Sequence, residues 1–315
     1  MNRFITTLFL FLCTCYFTFA QVYMSSNMAA QRPAKILDIS AMQVIYQVSS
    51  LPDSLVPNGI TKDTMILQIG QNLVSKYYPD TRLRDSIMQA RMAQMQAQTA
   101  TESRVTVTAS IQNQRMGTGD QSIIFKNWPT GNITVTDRVM MDSYSYTETF
   151  NEIEWHILPE TDTLLTYLCQ KAVTTFRGRS YEAWFTPDIP INEGPWKFCK
   201  LPGLILKVSD NRNHYLFECI GMEQAQAPIE FADLDYLKTN RRDLARIKRR
   251  FNEDPMAALN TAMENMRSAM PIPAGANVNT TRVIRGVDTD GTPMDESELR
   301  NRMRNRGYNP IELDY

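Results

Sequence analysis

The sequence predicts an α+β fold that is mainly antiparallel β: a curled sheet or open half-barrel with an inserted surface helix and C-terminal helices. Three observations predict it. From Met42 to Gly221 apolar residues alternate with polar ones in run after run, the period of strands that bury one face. Turn-forming clusters such as Gly117-Thr118-Gly119-Asp120 and Pro129-Thr130-Gly131-Asn132 separate the runs. Two other stretches, Asp80 to Thr99 and Leu237 to Phe251, lack Gly and Pro and space their apolar residues as helices do.

The first strand is Met42 to Ser50, where Val44, Tyr46 and Val48 alternate with Gln43, Ile45 and Gln47; turns around Pro52, Pro57 and Gly59 precede a second strand, Asp63 to Gly70. Asp80 is placed to cap the helix that follows, and its narrow stripe of Leu83, Ile87, Ala90 and Met95 lays it on one sheet face. Strand signals then recur at Val105 to Ala109, Ile123 to Phe125, Ile133 to Val135 and Ile153 to Ile157, the last alternating with Glu152, Glu154 and His156. Ala172 to Phe176 and Tyr181 to Phe185 form a hairpin about Arg177-Gly178-Arg179. A meander of this length twists, which is why the sheet is expected to curl.

The segment Thr186 to Gly203 interrupts the pattern. Pro187, Pro190 and Pro195 fix φ and remove backbone donors, and Gly194 and Gly203 supply conformations that side chains forbid, so an irregular crossing is expected. Trp184, Phe185, Trp196 and Phe198 flank it, rings able to bury roughly 150–250 Å² each and pin the loop to a core. Beyond Gly203, Leu204, Leu206 and Val208 face one way and Lys207 and Ser209 the other, with Ile205 the one exception; Asp210-Asn211-Arg212-Asn213 turns the chain into His214 to Gly221. Leu237 to Phe251 is a helix with a basic surround. Asp254-Pro255 starts another with a Met256, Leu259, Met263, Met266, Met270 stripe; residues 274–293 are a loose connector, and Asp295 to Arg306 is a short charged helix. The organisation expected is a leader over 1–20, a flexible segment over 21–40, a β-rich domain over 41–230 and a helical extension with a returning tail over 231–315.

The run QKAVTTFRGRSYEAWFTPDIPINEGPWKFCKLPGLILKVSD, Gln170 to Asp210, resembles the signature of the GLPGLI family (Porph_ging), exported proteins of Gram-negative bacteria. Asp63 to Gly70, Tyr146 to Leu158 and the ending Asn309 to Leu313 (NPIEL) match more loosely, and Lys200 stands where the eponymous motif begins with glycine. The family has no established activity. The resemblance implies an association with TonB-dependent outer-membrane transport and carries over no catalytic or binding residue. Its motif residues, with structural or ligand-contact roles, are Arg177, Gly178, Arg179, Trp184, Gly194, Pro195, Trp196, Phe198, Pro202, Gly203, Leu204 and Ile205.

Met1 to Ala20 reads as a secretory signal, with Arg3, an apolar run from Phe4 to Leu12 and a Thr18-Phe19-Ala20 ending; a lipid anchor at Cys13 or Cys15 is the alternative. No other stretch has the ~20 apolar residues of a membrane span. Thirty-three basic and 34 acidic residues leave a net charge of −1, so no broad field attracts nucleic acid. Cys169, Cys199 and Cys219 follow the leader: one disulfide, with Cys169 to Cys199 preferred, plus a buried thiol is one reading, and three buried thiols the other.

No GxSxG, HExxH or Walker pattern occurs, and no cofactor is implied. His156 on a wet strand face and His214 after a turn read as structural, and Asp288-Thr289-Asp290-Gly291 lacks the glutamate that closes a calcium loop. Arg177 and Arg179 either form an anion-recognising rim beside Tyr181 and Trp184 or pair with carboxylates and stack on rings. The expected function is a noncatalytic periplasmic or outer-membrane-associated binding or accessory protein, taking a small apolar or peptide ligand or an outer-membrane protein partner. The alternative is a periplasmic hydrolase whose site assembles only in three dimensions.

Overall fold

The computed structural model describes residues 33–56, 58–82, 86, 121–140, 142–150, 153–254, 257, 286–287, 293–294 and 307–314. The chain divides into two compact units, Met1–Leu37 with Glu230–Asp235, and Asp38–Ile229 with Tyr236–Tyr315. The site described below lies in the second.

The fold is mainly antiparallel β. The strands are β1 (Lys35–Ser50), β2 (Thr61–Gly70), β3 (Ser75–Pro79), β4 (Ile123–Lys126), β5 (Asn132–Val139), β6 (Asp142–Thr149), β7 (His156–Leu164), β8 (Tyr167–Phe176), β9 (Arg179–Thr186), β10 (Leu204–Asp210), β11 (Tyr215–Gln224), β12 (Pro228–Phe231) and β13 (Leu237–Lys238). They form one 13-stranded sheet ordered β13-β6-β5-β4-β3-β2-β1-β11-β10-β9-β8-β7, with β12 paired to β1 off this path. The order has two ends, so the sheet does not close. Helix α1 (Arg241–Glu253) follows, and β14 (Gly286–Val287) pairs with β15 (Pro293–Met294) at the end of the stretch 274–293 expected to be a loose connector.

Alternation decides burial as expected in β1, where Val44 and Tyr46 are fully enclosed. It also explains its own exception. Between Ile205 and Lys207 the β9–β10 register shifts, because Leu206 is an extra residue on β10. Such a bulge turns successive side chains to the same side, which lets Leu204, Ile205 and Leu206 all be buried. The β8–β9 hairpin is as read, with Phe176 opposite Arg179. Arg177 and Gly178 both have positive φ, 52° and 78°, the geometry of the two-residue turn that follows strand twist.

Several expectations shift. The strand placed at Ile153 to Ile157 begins only at His156, because Ile153 turns into the core and the Trp155 ring nitrogen donates to the Cys199 carbonyl (2.8 Å). Leu237 and Lys238 join β6 as a parallel strand instead of opening the helix, which starts after Asn240, whose side chain accepts from the Asp243 N–H. The preferred Cys169–Cys199 disulfide is absent. All three thiols are buried and free, each directed at a backbone carbonyl. Burial pushes Cys199 and Cys219 up to about 11, so they stay protonated and unreactive. Of the helices expected at Asp80 to Thr99 and after Pro255 only the starts are described: Arg82, Ser86 and Ala257 are helical, and Asp80 and Asp254 accept the N–H of Arg82 (3.1 Å) and Ala257 (2.9 Å). The remainder of both, the helix at Asp295 to Arg306, the strand at Val105 to Ala109 and the Asp288 to Gly291 turn lie outside the described residues. Among the described residues no helix is long and apolar enough to cross a membrane.

Candidate functional site

The crossing from Pro187 to Gly203 is where distant strands meet. Trp196 and Phe198 are buried, and Phe198 lies edge-on to Trp196, Tyr181, Phe217 and Phe176 at ring separations of 5.1, 4.8, 5.8 and 6.5 Å. Phe185 and Leu204 close the same core, and the Tyr46 hydroxyl donates to the Ile205 carbonyl (2.6 Å). Trp184 faces the other side of β9, half-buried, with its ring nitrogen on Glu182 and Lys171 above its ring.

Gly203 has φ 155°, and a Cβ there would sit 2.1 Å from the Thr186 carbonyl oxygen, so only glycine fits. Gly194 is needed for a different reason than backbone freedom: a Cβ would press on Ile205 at 2.8 Å. Lys200 has φ 75°, a conformation that glycine takes at no steric cost. Pro202 is exposed at the end of the crossing, and Pro195 accepts the Phe198 N–H at 3.0 Å.

Two lysines that sequence reasoning missed organise the polar part. Lys126, on β4, donates to the carbonyls of Gly194 (2.8 Å) and Phe198 (3.3 Å) and pairs with Glu193. Lys197, 2 % exposed, donates to Glu312 (2.6 Å) and the Tyr146 hydroxyl (3.0 Å) and forms an ion pair with Glu148 of β6 (2.5 Å). Arg177 pairs with Glu148 (3.0 Å), and Arg241 at the start of α1 pairs with Glu312 (3.2 Å) and Asp314 (2.8 Å). Two carboxylates separated by about half of the chain, Glu148 and Glu312, thus converge on one buried ammonium.

Burial alone would pull the Lys197 ammonium down, but Tyr146, Glu312 and Glu148 beside it outweigh that and hold it above its ordinary value. Burial alone would likewise raise the Glu312 carboxyl; Lys197, Arg241 and Arg177 reverse this and hold it below the usual range. Tyr146 is pushed up to about 12 by burial, against the opposing pull of Lys197. At neutral pH the lysine is charged, Glu312 ionised and the phenol neutral. Lys197 and Glu312 are therefore fixed charges that position chain segments.

Arg177 and Arg179 both pair with carboxylates and stack on rings. Arg179 is enclosed, paired with Asp210 (2.9 Å) and stacked on Tyr215 (5.0 Å); Arg177 stacks on Phe176 (5.0 Å). Arg179 also donates to the carbonyls of Ile311 (3.0 Å) and Pro310 (2.7 Å), which fixes the returning tail. His214 is half-buried, its N–H on Asp210, and His156 is exposed at the start of β7. Among the described residues no group of three His, Cys, Asp or Glu is placed to hold a metal ion.

Comparison with known proteins corrects the resemblance drawn from the sequence. The family model that matches, over residues 86–235, is described as "N-glycanase peptide, N-terminal domain", not the GLPGLI family. The matched stretch contains the Gln170 to Asp210 run on which the resemblance chiefly rested. No curated protein matches. Two solved structures of PNGF-II, in the P21 and C2 space groups, align with 14 % identity and TM-scores of 0.42 and 0.40, covering 66 % and 65 % of this chain. The chain spans 32 % of the length of each. The reading as a noncatalytic accessory of TonB-dependent transport is set aside with the resemblance that supported it, and the chain is similar to the N-terminal domain of an N-glycanase.

Proposed function

We propose that this chain acts in the release of N-linked glycans from peptides, as a domain of an N-glycanase-type hydrolase. The observation that carries the reading is the family match over residues 86–235, just under half of the chain. It favours the hydrolase alternative left open by the sequence, whose site was expected to form only in three dimensions. The convergence of Glu148, Glu312, Lys197 and Arg241 shows how such a site can be invisible in sequence, although these groups hold segments in place and the bond-breaking groups are not assigned to them.

In this reading the sheet bends into a trough around the crossing. Glu148 on β6 and Arg177 beyond β8 are 3.0 Å apart, yet at least eight strands separate their positions in the sheet order. In a flat sheet that separation is roughly 38 Å, at about 4.8 Å per strand. The buried Arg179, Trp196, Phe198 and Gly203 then support the trough from the core, with a glycosylated peptide as the ligand class. The leader-like Met1 to Ala20 supports work outside the cytoplasm.

The test is incubation of the purified chain with an N-glycosylated peptide, with products separated by chromatography and mass spectrometry and binding followed by tryptophan fluorescence. The expected result is saturable binding of the glycosylated peptide over its unglycosylated form, with glycan released on prolonged incubation. A chain that neither prefers the glycosylated form nor releases glycan overturns the proposal.

A further inference from the structure

The tail from Asn309 to Asp314 is held as a bound peptide is held. Its main chain is read by side chains of the sheet: the Tyr215 hydroxyl donates to the Asn309 carbonyl (2.7 Å), and Arg179 donates to those of Pro310 and Ile311. Its amides reach backbone carbonyls, Asn309 to Pro52 (3.0 Å) and Leu313 to Arg177 (2.9 Å). Its acidic side chains enter a cationic cleft, Glu312 between Lys197 and Arg241 and Asp314 on Arg241. The apolar share is small, since Ile311 is only half-buried and Leu313 is 36 % exposed.

Three of the receiving groups have short partners outside the tail, and Arg241 lies 3.9 Å from Glu148. Lys197 keeps Glu148 and Tyr146, Arg177 keeps Glu148, and Arg179 keeps Asp210. A cleft whose Lys197, Arg177 and Arg179 are positioned by its own walls is largely preorganised for acidic ligands, the arrangement by which arginine clusters recognise acidic motifs. We propose that this cleft is an acidic-peptide site, that Asn309 to Asp314 is its built-in occupant, and that displacing the occupant opens the site to a peptide carrying two carboxylates at the Glu-x-Asp spacing.

Two measurements test this on the full chain. The first is fluorescence anisotropy with a fluorescein-labelled peptide copying residues 307–314. The double variant Glu312→Gln/Asp314→Asn weakens the resident strap, so it is expected to bind the probe at least about tenfold more tightly than the unaltered chain, the scale of one charge-assisted contact. Adding Arg241→Glu to that variant, or neutralising both acids of the probe, is expected to remove the gain. Equal affinities for variant and unaltered chain, or for acidic and neutral probes, overturn the proposal.

The second needs no variant. In hydrogen exchange the amides of Asn309 and Leu313 are expected to exchange at least about 100-fold faster than that of Ile205 in β10, because an occupant leaves by local opening. Exchange of all three at one rate makes the tail an ordinary part of the core and overturns the proposal.

Discussion

Lys197 and Phe198 are consecutive residues, both enclosed, and they are held by opposite physics. Phe198 sits among rings at 4.8 to 6.5 Å, in contacts that no change of pH or salt removes. Lys197 sits among two carboxylates and a phenol, and each of those contacts depends on protonation state. One segment thus carries an apolar clamp and a charged clamp side by side. The first holds the crossing to strands β8, β9 and β11, while the second ties it to β6, α1 and the tail.

The largest loss is expected for Phe198→Ala. A ring packed on five others leaves a cavity that cannot collapse, and urea unfolding should show a cost near the top of the usual range, about 5 kcal/mol. Next is Lys197→Ala, about 4 kcal/mol, because removing one partner of a buried ion cluster strands the carboxylates that remain. Were it to cost under about 1 kcal/mol, the charged clamp would be no more than a surface pair. Glu312→Gln keeps a hydrogen-bond acceptor and removes the charge, so about 2 kcal/mol is expected, readable as a lower urea midpoint with an unchanged slope. The smallest effect belongs to Trp184→Ala, about 1 kcal/mol, since that ring lies half-buried on the other face of β9. A Trp184→Ala cost equal to that of Phe198→Ala would erase the distinction between core and outer rings.

The apolar clamp was largely legible in the sequence. Alternation marked β1, β10 and β11; the prolines and Gly203 marked the crossing; the rings of Trp196 and Phe198 marked what pins it. Trp184 is only half-buried against that core, and a ring's size says nothing of how deeply it packs. The misfit of Ile205 was visible, and its cause, an extra residue at Leu206, needed the partner strand.

The charged clamp was not legible. Lys197 reads as a surface lysine until Glu148 and Glu312, at distances of 49 and 115 residues along the chain, are seen beside it. No spacing rule joins those three positions. The short β3 was missed because its five residues, Ser75–Pro79, carry too few alternations to register. The family resemblance was carried by the same crossing that the N-glycanase domain match covers, and recognising a clamp in sequence does not reveal which activity it serves.

The most direct test of two adjacent clamps of different kind is unfolding free energy measured against pH for the unaltered chain, Phe198→Ala and Glu312→Gln. Glu312 has its carboxyl held below the ordinary range when folded, so its share of stability is present above the unfolded value of about 4.3 and is lost as pH falls through the folded value. Lys197 is held above its ordinary range, so its share is whole below about pH 10.4 and declines only above it. The account expects Phe198→Ala to lower the whole curve in parallel, and Glu312→Gln to lower the neutral plateau while flattening the acid limb until it meets the unaltered chain at low pH. A Glu312→Gln curve that runs parallel to the unaltered one through the acid limb would contradict it.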